Sequence, residues 1–303
     1  MKTLIFRLSV ALLLLFILLF ALPKVSVYFS HATQTKAPGE IHSYWRKQIR
    51  MLGPESAYLK LQQETASTTL SNQHILGHVF GRELYKEKGL TAFSFCGIEL
   101  GGGCIHEFMG TAIEERGLSV LTRLNQDCIS EFREEIVVVC QHGLGHGLVS
   151  YFGYEDDKIA KALDACASTE GVNLIRGCYS GALMEFDSRT MRDSLLRPIG
   201  DAGPFELCEK LHDKYKPACY FWSPQYIWES LFDAGQTPEA FAGTGSYCEK
   251  VPSPYIDYCF QGLGNFVPPN ANFEMDKSHE LCNASSKIEH NRDTCFKEAS
   301  GAL

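Results

Sequence analysis

The stretch CQHGLGHGLVSYFGYEDDKIAKALDACA, residues 140–167, decides the fold class. It opens on Cys140 with a glycine-rich segment, reaches a turn signal at Gly153, and continues as an amphipathic run to Cys166. In that second run Asp156 or Asp157 can cap a helix start. Ile159, Ala162, Leu163 and Cys166 then follow at spacings of three, one and three, which puts them on one helical face. The stretch therefore predicts a helix hairpin with a cysteine at each end.

The same plan recurs along the chain. The twelve cysteines fall into six neighbouring pairs: Cys96 with Cys104, Cys128 with Cys140, Cys166 with Cys178, Cys208 with Cys219, Cys248 with Cys259, and Cys282 with Cys295. Members of the last five pairs lie 11 to 13 residues apart, and successive second cysteines recur every 36 to 41. A period of that size marks a repeat architecture. The second cysteine again opens a glycine-containing segment in CYSGALMEF at 178 and CFQGLGNFV at 259. The predicted fold is all-α, an α-solenoid of helix-hairpin repeats, with a disulfide tying the end of one hairpin to the start of the next. Each closed loop would stabilise by about 2 to 4 kcal/mol. Neighbour pairing is the most economical connectivity among the many that twelve cysteines allow.

On these residues, GHGLVSYFGYEDDKIAKALDACA resembles the small-residue, alternating-helix text of Sel1-like and other TPR-like repeats, with Gly147, Tyr151, Gly153, Ala160, Ala162 and Ala165 at matching places. The resemblance covers this one repeat and implies an architecture, not an activity.

Outside the repeats, residues 1–32 read as a signal peptide or membrane anchor. Lys2 and Arg7 precede the apolar run LSVALLLLFILLFAL at 8–22, and Ser30-His31-Ala32 offers small residues at a cleavage site. Left uncut, Leu4 to Leu22 would nearly span a bilayer. Export in either form places the protein outside the cytoplasm, secreted, periplasmic or membrane-anchored, where paired thiols oxidise. Residues 33–71 read as a polar linker and two N-terminal capping helices, the second starting at Pro54, and residues 72–303 as the stapled repeat domain. Asn283-Ala284-Ser285 fits a glycosylation triplet.

The net charge is −8, and since residues 1–32 hold three cations and no acid, the rest of the chain is near −11. Nucleic acid, which needs clustered Lys and Arg, is excluded as a partner. No G-x-S-x-G elbow, Walker loop, Rossmann fingerprint or EF-hand spacing occurs. The acidic run Glu155 to Asp157 reads as a solvated turn, and CYFWSPQYIW as core or a concave binding surface.

The histidines carry the functional expectation. Aligned on the second cysteine, His142 and His146 stand two and six residues after Cys140, and His106 stands two after Cys104. The segment NQHILGHVFG superposes on CQHGLGHGLV and places His74 and His78 at the same two offsets. Histidines four apart on a helix share a face, and equivalent positions of stacked repeats would line up. The five would form a site for a divalent transition metal such as Zn, Cu or Fe. Glu107 would add a ligand or a base for metal-bound water. Later repeats replace the first offset by Ser180, Phe221, Gln261 and Lys297.

Other readings stand beside this one. Gly143, Gly145 and Gly147 cost a helix about 0.8–1 kcal/mol each relative to alanine, and either close packing or a ligand would offset that. On the packing reading the histidines only bond neighbouring backbone, and the array is a metal-free scaffold for a protein, peptide or glycan. On a third reading, the same histidines with Glu107 as base make a metal-dependent hydrolase or oxidase. A zinc site using Cys104 and Cys140, or a Cys140–His142 nucleophile, would compete with the disulfides.

Overall fold

The computed structural model describes residues 38–169, 173–192 and 195–301. The leader and residues 33–37 of the linker lie outside them. Among the described residues there is no strand, and no helix is long and apolar enough to cross a membrane. The chain divides into two compact units, Met1–Cys104 and Ile105–Leu303.

In the first unit, α1 (Pro38–Leu52), α2 (Pro54–Thr65) and α3 (Leu70–Lys88) pack on one another. Gly53, at φ +80°, turns the chain between α1 and α2, and Pro54 starts α2 where its missing N–H costs nothing. Thr69 caps α3 by accepting from the Asn72 N–H. The apolar faces meet at the fully buried Trp45, Ile49, Leu61, Phe80 and Leu84. Buried Glu83 of α3 accepts from His42 Nδ1 (2.9 Å) and Arg46 Nε (2.6 Å) of α1. The two helices expected at the N-terminal side are thus present, closed by a third that carries NQHILGHVFG.

The second unit takes in nearly all of α4 (Gly103–Arg116), then α5 (Leu121–Glu131), α6 (Glu134–Phe152) and α7 (Asp156–Ala167). A π-turn over Ile175–Tyr179 runs into α8 (Ser180–Ser188), and α9 (Glu206–Lys210) is a single turn. There follow α10 (Lys216–Leu231), α11 (Pro238–Cys248), α12 (Ile256–Asn270), α13 (Met275–Ser285) and α14 (Glu289–Gly301). Adjacent helices form hairpins, as in α6 with α7 and α10 with α11, while α6, α8, α10, α12 and α14 pack each on the next of that series.

All six neighbouring cysteine pairs are disulfides, and no described cysteine is free. Ile159, Ala162, Leu163 and Cys166 form a buried face of α7 as their spacing requires. Gly153, at φ +106°, ends α6. Three details differ from the sequence reading. The first helix of a repeat begins before its second cysteine: Cys140 lies in the second turn of α6, which starts at Glu134. The N-cap of α7 is Glu155, with Asp156 and Asp157 inside the first turn. And α9 is short, because Pro198, Gly200, Gly203 and Pro204 interrupt the chain ahead of it.

Two features hold the series together. Glycines let helix backbones touch: a Cβ on Gly262 of α12 would stand 1.7 Å from the Phe221 carbonyl oxygen of α10, and one on Gly264 would stand 2.2 Å from that of Cys295 in α14. Aromatics fill the rest. CYFWSPQYIW is core, with Tyr220, Phe221, Trp222, Tyr226 and Trp228 all buried. The Trp228 ring lies 5.2 Å from Phe266, and Phe266 lies 5.5 Å from Phe241. Trp222 Nε1 and Arg197 Nε both donate to the buried Asp187, at 2.8 Å each.

Candidate metal centre

Each unit brings some of the five histidines together. In the first, His74 and His78 lie one turn apart on α3 with ring centroids 4.5 Å apart. His74 Nδ1 is 3.1 Å from the Gly101 carbonyl. A carbonyl only accepts, so the proton of His74 sits on Nδ1. Its Nε2 is then an acceptor, and it takes a hydrogen bond from His78 Nε2 at 3.0 Å.

In the second unit, α4 supplies His106 and α6 supplies His142 and His146. Their ring centroids are 5.4 Å apart for His106–His142, and 4.8 Å for both His106–His146 and His142–His146. One ring nitrogen from each can be chosen so that all three lie within 4.8 Å of one another. His106 and His146 are buried, and His142 is half-buried.

The glycines explain why rings on different helices meet. A Cβ on Gly143 would lie 3.2 Å from the His106 Cα, and one on Gly147 would lie 3.0 Å from the Gly110 Cα. Only hydrogen at these positions lets α4 and α6 approach so closely. Gly145, on another side of α6, faces the π-turn: its Cβ would fall 2.1 Å from the Cys178 carbonyl oxygen. The interleaved glycines therefore admit one neighbour on each side of α6.

A residue that sequence reasoning missed completes the centre. Glu185 of α8 is fully buried and accepts from His146 Nδ1 at 2.9 Å. It also accepts from Thr190 Oγ1, from the Tyr154 hydroxyl and from the Met191 N–H at 3.0 Å. Burial pushes its carboxyl up to about 7, against the bonds from Thr190, Tyr154 and Met191 and with the added repulsion of Glu107. Glu107 itself is buried on α4. The signal for Glu185 was present: in SGALMEF it is the one charge in an apolar helical run.

His142 is held differently. Burial brings its imidazole down to about 4, an effect that the backbone of Arg176 opposes. Arg176 lies within the π-turn, where Tyr179 N–H bonds back to the Leu174 carbonyl and Ser180 N–H to that of Gly177.

Three imidazoles suit a borderline ion such as Zn²⁺ or Cu²⁺. With metal–nitrogen bonds of about 2.0–2.1 Å, tetrahedral ligation needs nitrogens about 3.4 Å apart, a closure from 4.8 Å within reach of side-chain rotation. Three protein ligands would leave a fourth position for water or another ligand.

A second concavity in this unit is a polar groove of about 730 Å³ between α12 and α14, lined by Asp257, Gln261, Asn265, Lys297 and Glu298 and reached by Arg176. Gln261 and Lys297 occupy the repeat offset that His106 and His142 hold earlier in the chain. No family model matches this chain, and neither does any curated protein or solved structure.

Proposed function

We propose that this is an extracytoplasmic helical-repeat protein, a solenoid of TPR-like hairpins, that binds a divalent transition metal through His106, His142 and His146. The convergence of three imidazoles from two helices carries the reading. The His74–His78 pair would provide two further nitrogens once an ion displaces the proton shared between their Nε2 atoms. Six disulfides agree with an oxidising compartment.

The test is metal analysis of the oxidised protein after equilibration with Zn²⁺, Cu²⁺ or Fe²⁺ and desalting. Retention of at least one equivalent, lost in the His142→Ala/His146→Ala double variant, is the expected result. A wild-type protein that retains no stoichiometric ion refutes it.

A second reading, a scaffold holding a protein, peptide or glycan, is favoured by the polar groove alone. It predicts unchanged partner binding in the same double variant and loss on substitution of Gln261 and Asn265.

A further inference from the structure

A histidine that ligates through one ring nitrogen must keep its proton on the other. The group that accepts that proton's hydrogen bond fixes the tautomer and the aim of the ring. In the second unit one of the three candidate ligands, His146, has such a group, and it comes from α8 just beyond the π-turn. Glu185 faces His146 Nδ1 at 2.9 Å with no solvent exposure on either side chain.

The chain departs from an α-helix just ahead of α8. In a regular helix the Arg176 carbonyl would be bonded to the N–H of Ser180, four residues on. Here Gly177 leaves helical conformation (φ −84°, ψ −118°), and the Ser180 N–H goes instead to the Gly177 carbonyl. The Tyr179 N–H reaches back five residues, to the carbonyl of Leu174. The π-turn thus replaces a regular helical turn ahead of α8, and a Cβ on its Gly177 would stand 3.4 Å from that of Gln141 on α6. Single π-turns of this kind gather at functional sites. Its fourth residue is Cys178, bonded to Cys166 at the end of α7, and Gly145 of α6 seats against the Cys178 carbonyl. The turn is therefore anchored on both sides, and α8, which carries Glu185, follows it directly.

We infer that Glu185 is the positioning group of the metal centre, and that the π-turn Ile175–Tyr179, pinned by the Cys166–Cys178 disulfide, holds α8 and with it Glu185 in register with α6. The inference rests on the proposal that His106, His142 and His146 bind a metal. It adds that the ion is held through Nε2 of His146, and that affinity depends on one disulfide out of six.

Long-range ¹H–¹⁵N NMR of the metal-free protein reads the His146 tautomer without reference to any ion. The expected form is Nδ1–H, and an Nε2–H tautomer overturns the assignment of Glu185. Zn²⁺ affinity, measured by competition with a chelating dye, is then compared between the wild type, Glu185→Gln, Cys166→Ser/Cys178→Ser, and Cys282→Ser/Cys295→Ser as a staple remote in sequence. Loss of an outer-shell partner typically weakens binding 10- to 100-fold. That loss is expected for the first two variants, with less than threefold change for the third. Equal weakening in both disulfide variants shows a general effect of stability and overturns the role of the π-turn. Wild-type affinity in both Glu185→Gln and Cys166→Ser/Cys178→Ser overturns the inference while leaving the metal reading intact. A wild type that binds no Zn²⁺, Cu²⁺ or Fe²⁺ overturns the metal reading, and the outer-shell role with it, even where the tautomer is Nδ1–H.

Discussion

The contact between α10 and α12 gives the sharpest test of how the helices are packed. Replacing Gly262 with alanine would set a Cβ 1.7 Å from the Phe221 carbonyl oxygen, 2.6 Å from its carbonyl carbon and 3.0 Å from its Cα. All three are backbone atoms, so no side chain can swing aside. An ordinary carbon–oxygen contact is about 3.3 Å, which obliges the helices to separate by roughly 1.5 Å. A gap of only 0.5–1 Å forfeits about a quarter to a half of each dispersion contact along an interface, which places the cost near the upper end of the roughly 1–3 kcal/mol typical of overpacking. Alanine returns about 0.8–1 kcal/mol of helix propensity. The net destabilisation is about 2 kcal/mol, or about 4–8 °C in Tm for a unit of this size. Thermal unfolding of the oxidised protein by far-UV circular dichroism measures it, with Gly301→Ala as control. Gly301 has nothing within 4 Å of its Cβ position, so that variant should melt within a degree or so of the wild type. A Gly262→Ala protein that melts with the wild type, or above it, would show that the two backbones do not touch.

Three further outcomes follow from the same geometry. Reduction of the six disulfides, each worth about 2–4 kcal/mol, should sharply lower the melting temperature and the helicity at 37 °C; an unchanged curve in strong reductant would rule out stapling. Burial alone would raise the Glu83 carboxyl, but hydrogen bonds from His42 and Arg46 and the Arg46 charge hold it down at about 2. A depressed folded pKa stabilises fully above the unfolded value of 4.5 and ceases to do so as pH falls through 2. The span is worth about 3 kcal/mol at most, and roughly 1–2 kcal/mol once solvent screens the half-exposed Arg46; Glu83→Gln should flatten the fall in Tm between pH 5 and pH 2, and an equally steep fall counts against the pairing. Burial raises the Asp187 carboxyl while Arg197 and Trp222 oppose it. Asp187→Ala leaves Arg197 without its partner and should cost about 3–5 kcal/mol, read as a drop in urea midpoint; a loss under 1 kcal/mol would mean the pair is solvated.

What could be read from the sequence, and what could not, divides by distance along the chain. The α7 face from Ile159 to Cys166, the Pro54 start of α2, the neighbour disulfides and the paired histidines of α3 and α6 are local patterns, set by the 3.6-residue period and by loops of 8 to 13 residues. Glu185 is 39 residues from His146, so its partner is fixed by how α6 and α8 pack. The π-turn is subtler still, since IRGCY has no composition that separates it from an ordinary helix start.

The glycines of CQHGLGHGL show why two readings of that segment were not true alternatives. Gly143 and Gly147 do pack, as the packing reading requires, against His106 and Gly110 of α4. But that packing is what lets the His106 ring come within 4.8 Å of His146. With alanine at 143 and 147, α4 would stand off from α6 and the third imidazole would withdraw from the other two. Close helix approach is thus the means by which three rings from two helices converge, and the propensity lost at these glycines is the cost of that convergence.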